Sequence, residues 1–370
     1  MNNSGSLWRQ FDFVLLGASI LLTAFGILMI RSATLGAIDP ELINRVPDQI
    51  RYSILGIFVL FGLAALDYRI LGGIQQWLYI LMMALLVAVL FFGVEGDGGS
   101  QSWLNIGIRI QPSEIAKLLI IITLGAFLAR NYDKIERLST LLKSLIHVGV
   151  PAVFIFIQPD LGMTIVFGVM WFTMVWAAGL KIRHIAAAAL ILTITLPITV
   201  PFAWERMENY QRLRIISFIS PESDPDAFYN IRQAEISIGS GGLFGKGYAN
   251  GPQNTGRFLR VRHTDFIFSV ISEEFGFVGG MVTMVVIGVV ILRIIRGARL
   301  AADPLGSLIC YGVAAFIFFQ TVVSIGMNLR LMPVTGLTLP FISSGGTSLL
   351  STLAGIGLAE SVIMRRRRST

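Results

Sequence analysis

Charge is what this sequence has least of. Only 14% of its 370 residues are Asp, Glu, Lys or Arg, against about 25% in ordinary soluble domains. Hydrophobic residues make up 54%, and the mean hydropathy is +0.74. So few charges argue against a soluble domain and for a chain immersed in a bilayer. Cysteine is scarcer still, and the single Cys310 leaves no intramolecular disulfide to form; in its apolar stretch it reads as a small hydrophobe. Of the three histidines, His147, His184 and His263, none has metal-ligand spacing with another. Gly245-Lys246 lacks the upstream glycine and the following hydroxyl of a P-loop, and the stretch from Gly239 to Gly247 does not meet the dinucleotide pattern. No serine-centred nucleophile elbow is present.

Long apolar runs are abundant instead. The stretches 13–30, 54–66, 78–92 and 281–292 are almost free of charge. A helix needs about 20 apolar residues to cross the hydrocarbon core, and there the backbone must satisfy its own hydrogen bonds, which favours helices. Hydropathy predicts an all-α polytopic membrane protein of about ten transmembrane helices at 12–31, 52–67, 74–93, 113–129, 143–157, 162–179, 185–203, 265–292, 305–327 and 345–364. The first apolar segment is too long for a signal-peptide core and reads as a retained helix.

Lysine and arginine place the termini. Arg9, Arg69, Arg130, Lys134, Arg137, Lys143, Lys181, Arg183, Arg293, Arg296, Arg299 and the arginines at 365–368 all fall on one side of a ten-span chain. Basic residues collect in the cytoplasm, so both termini are expected there. The net charge of +7 then reflects topology, with no nucleic-acid partner implied, and the tail at 365–368 reads as facing lipid phosphates. The chain is read as one domain, 1–370, whose large extracytoplasmic loop, 204–263, lies between helices 7 and 8. That loop is far longer than ordinary connections, and 210–218 and 231–238 have the pattern of short helices along a membrane surface. An ordered outer loop of this length is where function is expected.

Ionisable residues inside or at the lip of a span are costly and point to function. In Gln111-Pro-Ser-Glu-Ile-Ala-Lys117, Pro112 and Ser113 look like a helix start, which puts Glu114 in the first turn and Lys117 on the same face. The plainer reading is a dipole-favoured acid with a snorkelling lysine. In Gln158-Pro-Asp-Leu-Gly162, Asp160 caps the next helix or lines a site. In Arg262-His-Thr-Asp-Phe266, Thr264 or Asp265 is a helix cap, or Asp265 is a general base at the mouth of a cavity. Glu273 and Glu274 lie further in, at a depth that calls for a partner inside the bundle. Finally, the segment from Pro333 to Pro340 and Ser343-Ser-Gly-Gly346 imply irregular backbone at membrane depth, tolerated only in a protein-lined or wet cavity. The glycine-rich stretch, with Lys246, Arg212 and Arg214, offers amides and cations suited to a diphosphate, or is simply flexible.

Taken together, these motifs resemble the SEDS family of shape, elongation, division and sporulation proteins, which includes RodA and FtsW. The resemblance covers nearly the whole chain. It is carried by Trp103-Leu-Asn-Ile-Gly107 with Gln111-Pro-Ser-Glu114 and Lys117, by Gln158-Pro-Asp-Leu-Gly162, and by Pro221-Glu-Ser-Asp-Pro225. Ile238-Gly-Ser-Gly-Gly242 with Gly245-Lys-Gly247, His263-Thr-Asp-Phe266, and Pro333-Val-Thr-Gly336 with Leu339-Pro340 complete it. Arg262 before the histidine and the short termini stand nearer the RodA branch. The family usually shows Pro-Glu where Arg260-Val261 stands, Thr at Met163, Asn at Ser324, Gly at Arg330 and Tyr at Ser344.

The resemblance implies a peptidoglycan glycosyltransferase of the bacterial inner membrane, acting on lipid II and undecaprenyl-diphosphate-linked glycan during elongation. It implies a class B penicillin-binding protein and other elongation-complex membrane proteins as partners. Asp265, Lys117 and Glu114 are then expected to be catalytic, and Asp160, Arg212, Arg214, Lys246, His263 and Ser343 to bind substrate. Magnesium or manganese suits carboxylates and a diphosphate, but no motif demands a metal. A lipid flippase or transporter, or a scaffold for a penicillin-binding protein, is the alternative; transporters keep their site near the midplane.

Overall fold

The computed structural model describes residues 8–37, 39–94, 102–105, 109–181, 225–259 and 261–366, together with His184, Pro201, Trp204, Glu205, Arg212 and Ile216. These residues are helical almost throughout. The helices are α1 (Phe13–Thr34), α2 (Pro40–Ala65), α3 (Tyr68–Gly73), α4 (Gln75–Phe92), α5 (Pro112–Arg130), α6 (Leu138–Ile157) and α7 (Leu161–Ala177). After them come α8 (Pro225–Gly241), α9 (Pro252–Thr255), α10 (Ile267–Leu300), α11 (Pro304–Asn328) and α12 (Gly346–Met364). A short antiparallel ladder pairs Leu104 with Ile110 and Asn105 with Arg109 ahead of α5.

Among the described residues, 8 helices are long and apolar enough to cross a membrane, and α7 is a shorter apolar helix. They coincide with nine of the ten expected spans; the other, 185–203, lies outside the described residues, as does most of 210–218. The expected helix at 231–238 is part of α8. Two helices run past their expected ends. α2 begins at Pro40, and α10 continues through Arg293, Arg296 and Arg299, which hydropathy had left in a loop.

Helix starts follow from short-range chemistry. Asp12 caps α1, accepting from the amides of Val14 and Leu15 at 3.1 Å. Pro304 opens α11 behind Asp303, which accepts from the Gly306 amide at 2.9 Å. Such caps satisfy amides that a helix cannot.

α12 is the centre of the bundle and is buried along nearly its whole length, whereas α4 turns Trp77, Phe91 and Phe92 outward, each more than 70% exposed. In lipid, apolar surface gains nothing by hiding, so helix packing relies on small residues and close approach. Ser351, Ala354, Gly355, Gly357, Ala359 and Ser361 give α12 that character.

The basic end is tied together by ions. Arg293 pairs with Asp12 at 2.6 Å, and the Asp12 amide donates to Glu360 at 3.1 Å. Asp303 accepts from Tyr68 at 2.7 Å and Arg69 at 2.8 Å. Burial alone would raise the Asp303 carboxyl, but bonds from the Gly306 amide, Arg69 and Tyr68 outweigh it and hold its pKa below the usual range. Arg365 departs from the lipid-facing tail expected at 365–368. Its guanidinium turns inward, donating to the carbonyls of Ala64 at 3.1 Å and Ala65 at 2.6 Å, where it caps the end of α2.

The N-terminal half of α10 is broken at Gly276, whose φ of 67° and ψ of −166° fit only glycine. The glycine-rich loop fills the break. The amides of Lys246 and Gly247 donate to the carbonyls of Glu273 and Glu274, both at 2.9 Å. In return, the amides of Phe277 and Val278 donate to the carbonyls of Gly242 at 2.8 Å and Leu243 at 3.1 Å. A side chain at Gly245 would collide with the Glu274 backbone. The loop thus completes the hydrogen bonding of a helix interrupted at membrane depth.

Candidate active site

Three of the motif regions meet at the fourth, the irregular segment between α11 and α12 and the first turn of α12. Gln111 donates to Asp160 at 3.1 Å, and its amide donates to Thr347 at 3.3 Å. Gly162 lies against Thr335 and Leu337, with no room for a β-carbon. The Ser343 hydroxyl donates to the Thr264 carbonyl at 2.7 Å, and the Ser344 amide donates to the His263 carbonyl at 2.9 Å. Residues separated by two hundred positions are thereby held around one short segment.

Below it sits a buried charge pair. Pro112 opens α5, and one turn later Lys117 Nζ lies 2.6 Å from Glu114, with side-chain exposures of 0% and 4%. A snorkelling lysine would reach for water; this one does not. Ser351 of α12 donates to Glu114 at 2.6 Å, Gln320 of α11 accepts from Lys117 at 3.3 Å, and the ammonium lies 4.3 Å from the centre of the Phe316 ring. Around the pair, Ser113 Oγ, Gln320 Nε2 and Ser324 Oγ are buried without a hydrogen-bond partner. Unmet polar capacity beside a buried cation fits a polar guest.

Asp265 stands just ahead of α10, half-buried. It is not the cap of α10: that position is Phe266, which makes no side-chain cap bond. Arg262 anchors the approach, buried and donating to the carbonyls of Ala33 and Leu259. Burial, and then the nearby Arg257, lower the Arg262 pKa from its ordinary value.

Other expected site residues turn out differently. Asp160 does cap α7, accepting from the Met163 amide at 3.0 Å while it receives Gln111. The Ser343 hydroxyl donates to the Thr264 carbonyl and accepts from the Leu339 amide at 2.9 Å, so it supports backbone on both sides. In the glycine-rich stretch the amides of Lys246 and Gly247 are already bonded to α10, and that of Gly245 to Gly241; the Lys246 side chain is exposed. Arg212 donates to the Glu205 carbonyl at 2.7 Å, and Arg214 lies outside the described residues. His263 is buried.

Glu273 and Glu274 are both partnered. Glu273 accepts from the amides of Gln253 at 2.7 Å and Asn254 at 3.2 Å, at the start of α9. Glu274 receives the Ser32 hydroxyl and the Asn254 amide group, the latter at 2.8 Å. Among the described residues, no three of His, Cys, Asp and Glu converge to hold a metal ion.

Gln320, Ser351 and Asn328 are participants that motif reading missed. The available signal was a polar side chain inside an apolar run, as with Gln320 among Ala314–Val323. Arg330 has a φ of 56°, a left-handed position where the family pattern carries glycine.

Known proteins with the same arrangement were found by sequence and by structure. The family profile of FtsW, RodA and SpoVE, described as cell cycle protein, matches residues 13–368. The peptidoglycan glycosyltransferase MrdB of Escherichia coli (strain K12) is 34% identical over 370 residues, covering 99% of this chain and 97% of that protein. The peptidoglycan glycosyltransferase RodA of Treponema pallidum is 29% identical over 430 residues, covering 96% and 98%. A chain from a solved peptidoglycan synthase complex, described as coordinating polymerization and crosslinking, superposes with a TM-score of 0.81 at 30% identity, covering 97% of this chain and 99% of that one. The rod shape determining protein RodA of Thermus thermophilus superposes with a TM-score of 0.68 at 30% identity, covering 97% and 98%.

Proposed function

The chain belongs to the SEDS family of FtsW, RodA and SpoVE proteins and is a peptidoglycan glycosyltransferase, and we propose that it polymerises lipid II by an inverting displacement outside the cytoplasmic membrane. What supports the mechanism is that the segment from Pro333 to Gly346 holds the backbone beside Asp265 through Ser343, while the helix that follows it, α12, holds the Glu114–Lys117 pair through Ser351.

In this mechanism Asp265 removes the proton from the acceptor 4-hydroxyl as general base. The oxygen then attacks the anomeric carbon of the growing chain, and the bond to undecaprenyl diphosphate breaks with inversion. The leaving diphosphate gathers negative charge, which cations stabilise. Lys117 is the deepest of these, and Lys246, Arg212 and Arg214 come from the outer loop. In the described conformation Lys117 is enclosed, so the diphosphate meets it only when α5, α11 and α12 part. Glu114, steadied by Ser351, keeps the Lys117 side chain aimed until then.

A class B penicillin-binding protein supplies crosslinking in this reading, supported by likeness to a chain of a complex that joins the two activities. The basic end of the bundle faces the cytoplasm and the glycine-rich loop faces outward. With Cys310 replaced, a Ser240→Cys protein should react with an impermeant thiol reagent in intact spheroplasts, and Ser139→Cys should not. The reverse pattern would invert the site.

Polymerisation itself is tested with the purified chain and lipid II in detergent, with and without the partner. Detergent abolishes sidedness, so a transporter or scaffold has nothing to accomplish there. Glycan strands are the expected product; their absence under both conditions would overturn the reading.

A further inference from the structure

Asp265 precedes α10, which begins at Ile267, in the turn that leads into that helix. The carbonyls of His263, Thr264 and Asp265 each have their own donor: the Ser344 amide at 2.9 Å, the Ser343 hydroxyl at 2.7 Å and Asn328 Nδ2 at 2.8 Å. Two of these come from the irregular segment ahead of α12 and the third from the last residue of α11.

Asn328 is fully buried and uses both ends of its amide. Nδ2 also donates to the Ser324 carbonyl at 2.7 Å, while Oδ1 accepts from the Ser269 amide at 3.0 Å and the Ser269 hydroxyl at 2.6 Å. Two carbonyls on one side and two donors on the other match a carboxamide and nothing else of its size. Aspartate would bring oxygen against both carbonyls, and leucine would remove all four bonds. Through Ser269 the same side chain gives an amide in the first turn of α10 a second acceptor, beside the Phe266 carbonyl at 3.1 Å. One residue therefore ties the end of α11, the first turn of α10 and the backbone of Asp265 to each other.

We propose that Asn328 is a positioning residue for polymerisation: it fixes the Asp265 backbone, and so sets where that carboxylate meets the acceptor hydroxyl. Ser343 acts the same way one residue earlier. The inference rests on the reading of Asp265 as the general base. General-base catalysis depends on hydrogen-bond reach, and displacements of about 1 Å cost about 10²-fold in rate.

The test uses the purified full-length chain and lipid II, with kcat, KM and thermal midpoint measured for Asn328→Ala, Ser343→Ala, Asp265→Asn and the double variant Asn328→Ala/Asp265→Asn. Asn328→Ala should lower kcat by about 10- to 10²-fold and leave KM within about twofold, since only the transition state feels the misplaced base. Ser343→Ala should lower kcat by about threefold or more in the same manner. In the slow residual reaction of Asp265→Asn, followed over hours, Asn328→Ala should cause no further loss. A further loss there, or a fall in kcat matched by KM and thermal midpoint, makes Asn328 merely structural and overturns the proposal. So does wild-type kcat in both single variants while Asp265→Asn is inactive. If Asn328→Ala does not fold, Ser343→Ala, which removes one hydroxyl, decides by the same criteria. Wild-type polymerisation by Asp265→Asn would instead overturn the reading of the base, and this inference with it.

Discussion

Glu114 and Glu273 are both buried carboxylates near the N-terminal ends of helices long and apolar enough to span a membrane, and by sequence both invite a functional reading. Their surroundings separate them. Glu273 faces two backbone amides of α9, and its neighbour Glu274 faces Ser32 and Asn254. Those acids hold an outer loop against α10 and α1. Glu114 instead faces a lysine, and the pair has hydroxyl and amide groups around it that lack partners. An intramembrane charge points to function by default; what it binds decides whether that function is chemistry or architecture. Partners drawn from an adjoining loop and helix mark architecture. A buried cation with unmet polar neighbours marks a place where something else can enter.

The comparison can be broken most severely at Lys117. Lys117→Met should lower lipid II polymerisation by more than about 10²-fold. Loss of the ammonium also strands Glu114, and an unpaired buried charge costs about 3–5 kcal/mol. The neutral double variant Glu114→Gln/Lys117→Met removes that penalty, so its thermal midpoint should recover while polymerisation stays lost. Recovery of both would make the pair a structural element like Glu273 and Glu274.

At Glu273 the expected effects are smaller and fall on stability. Glu273→Ala leaves the amides of Gln253 and Asn254 without an acceptor, at about 1–3 kcal/mol each. Glu273→Gln keeps an acceptor and should polymerise within about threefold of wild type. Near-complete loss in Glu273→Gln, with a normal thermal midpoint, would put this acid in the chemistry and erase the contrast.

Smallest is the effect at the basic end, where neither chemistry nor the loop is involved. The Asp303 pKa is lower in the folded protein than in the unfolded chain. Its contribution to stability is therefore complete above the unfolded value of about 3.9 and is lost as pH falls below it through the folded value. Asp303→Asn should flatten that acid limb of the thermal midpoint without changing polymerisation at neutral pH. An unchanged acid limb would show that the Tyr68–Asp303–Arg69 cluster contributes nothing to it.

Much of this was legible in the sequence. Runs such as 13–30 and 78–92 had to be helices because lipid offers the backbone no other partner, and the spacing of Glu114 and Lys117 had to place them on one face. The motif that ends in Phe266 marked the lip of α10 correctly. What hydropathy could not show was pairing between distant segments. The role of Glu273 depends on amides at Gln253 and Asn254, and the glycine-rich loop became legible only beside the break at Gly276, whose unusual backbone leaves no mark in composition. Arg365 misled for a related reason: a terminal arginine run reads as lipid-facing, but the carbonyls ending α2 compete for its first member. Asn328 carried no charge, and nothing in its neighbourhood announced three partners.

The most direct test of the account is the rate and product length on lipid II of purified Asp265→Asn protein, measured beside its thermal midpoint. Asparagine keeps the shape of the side chain and removes its proton affinity. Because Phe266, and not Asp265, occupies the cap position of α10, the thermal midpoint should hold. Lipid II should still bind, since the diphosphate is met by cations. Glycan synthesis should fall by at least about 10²-fold. Strands made at the wild-type rate by a stably folded Asp265→Asn protein would contradict the mechanism and leave the base to be sought at Glu114 or Asp160.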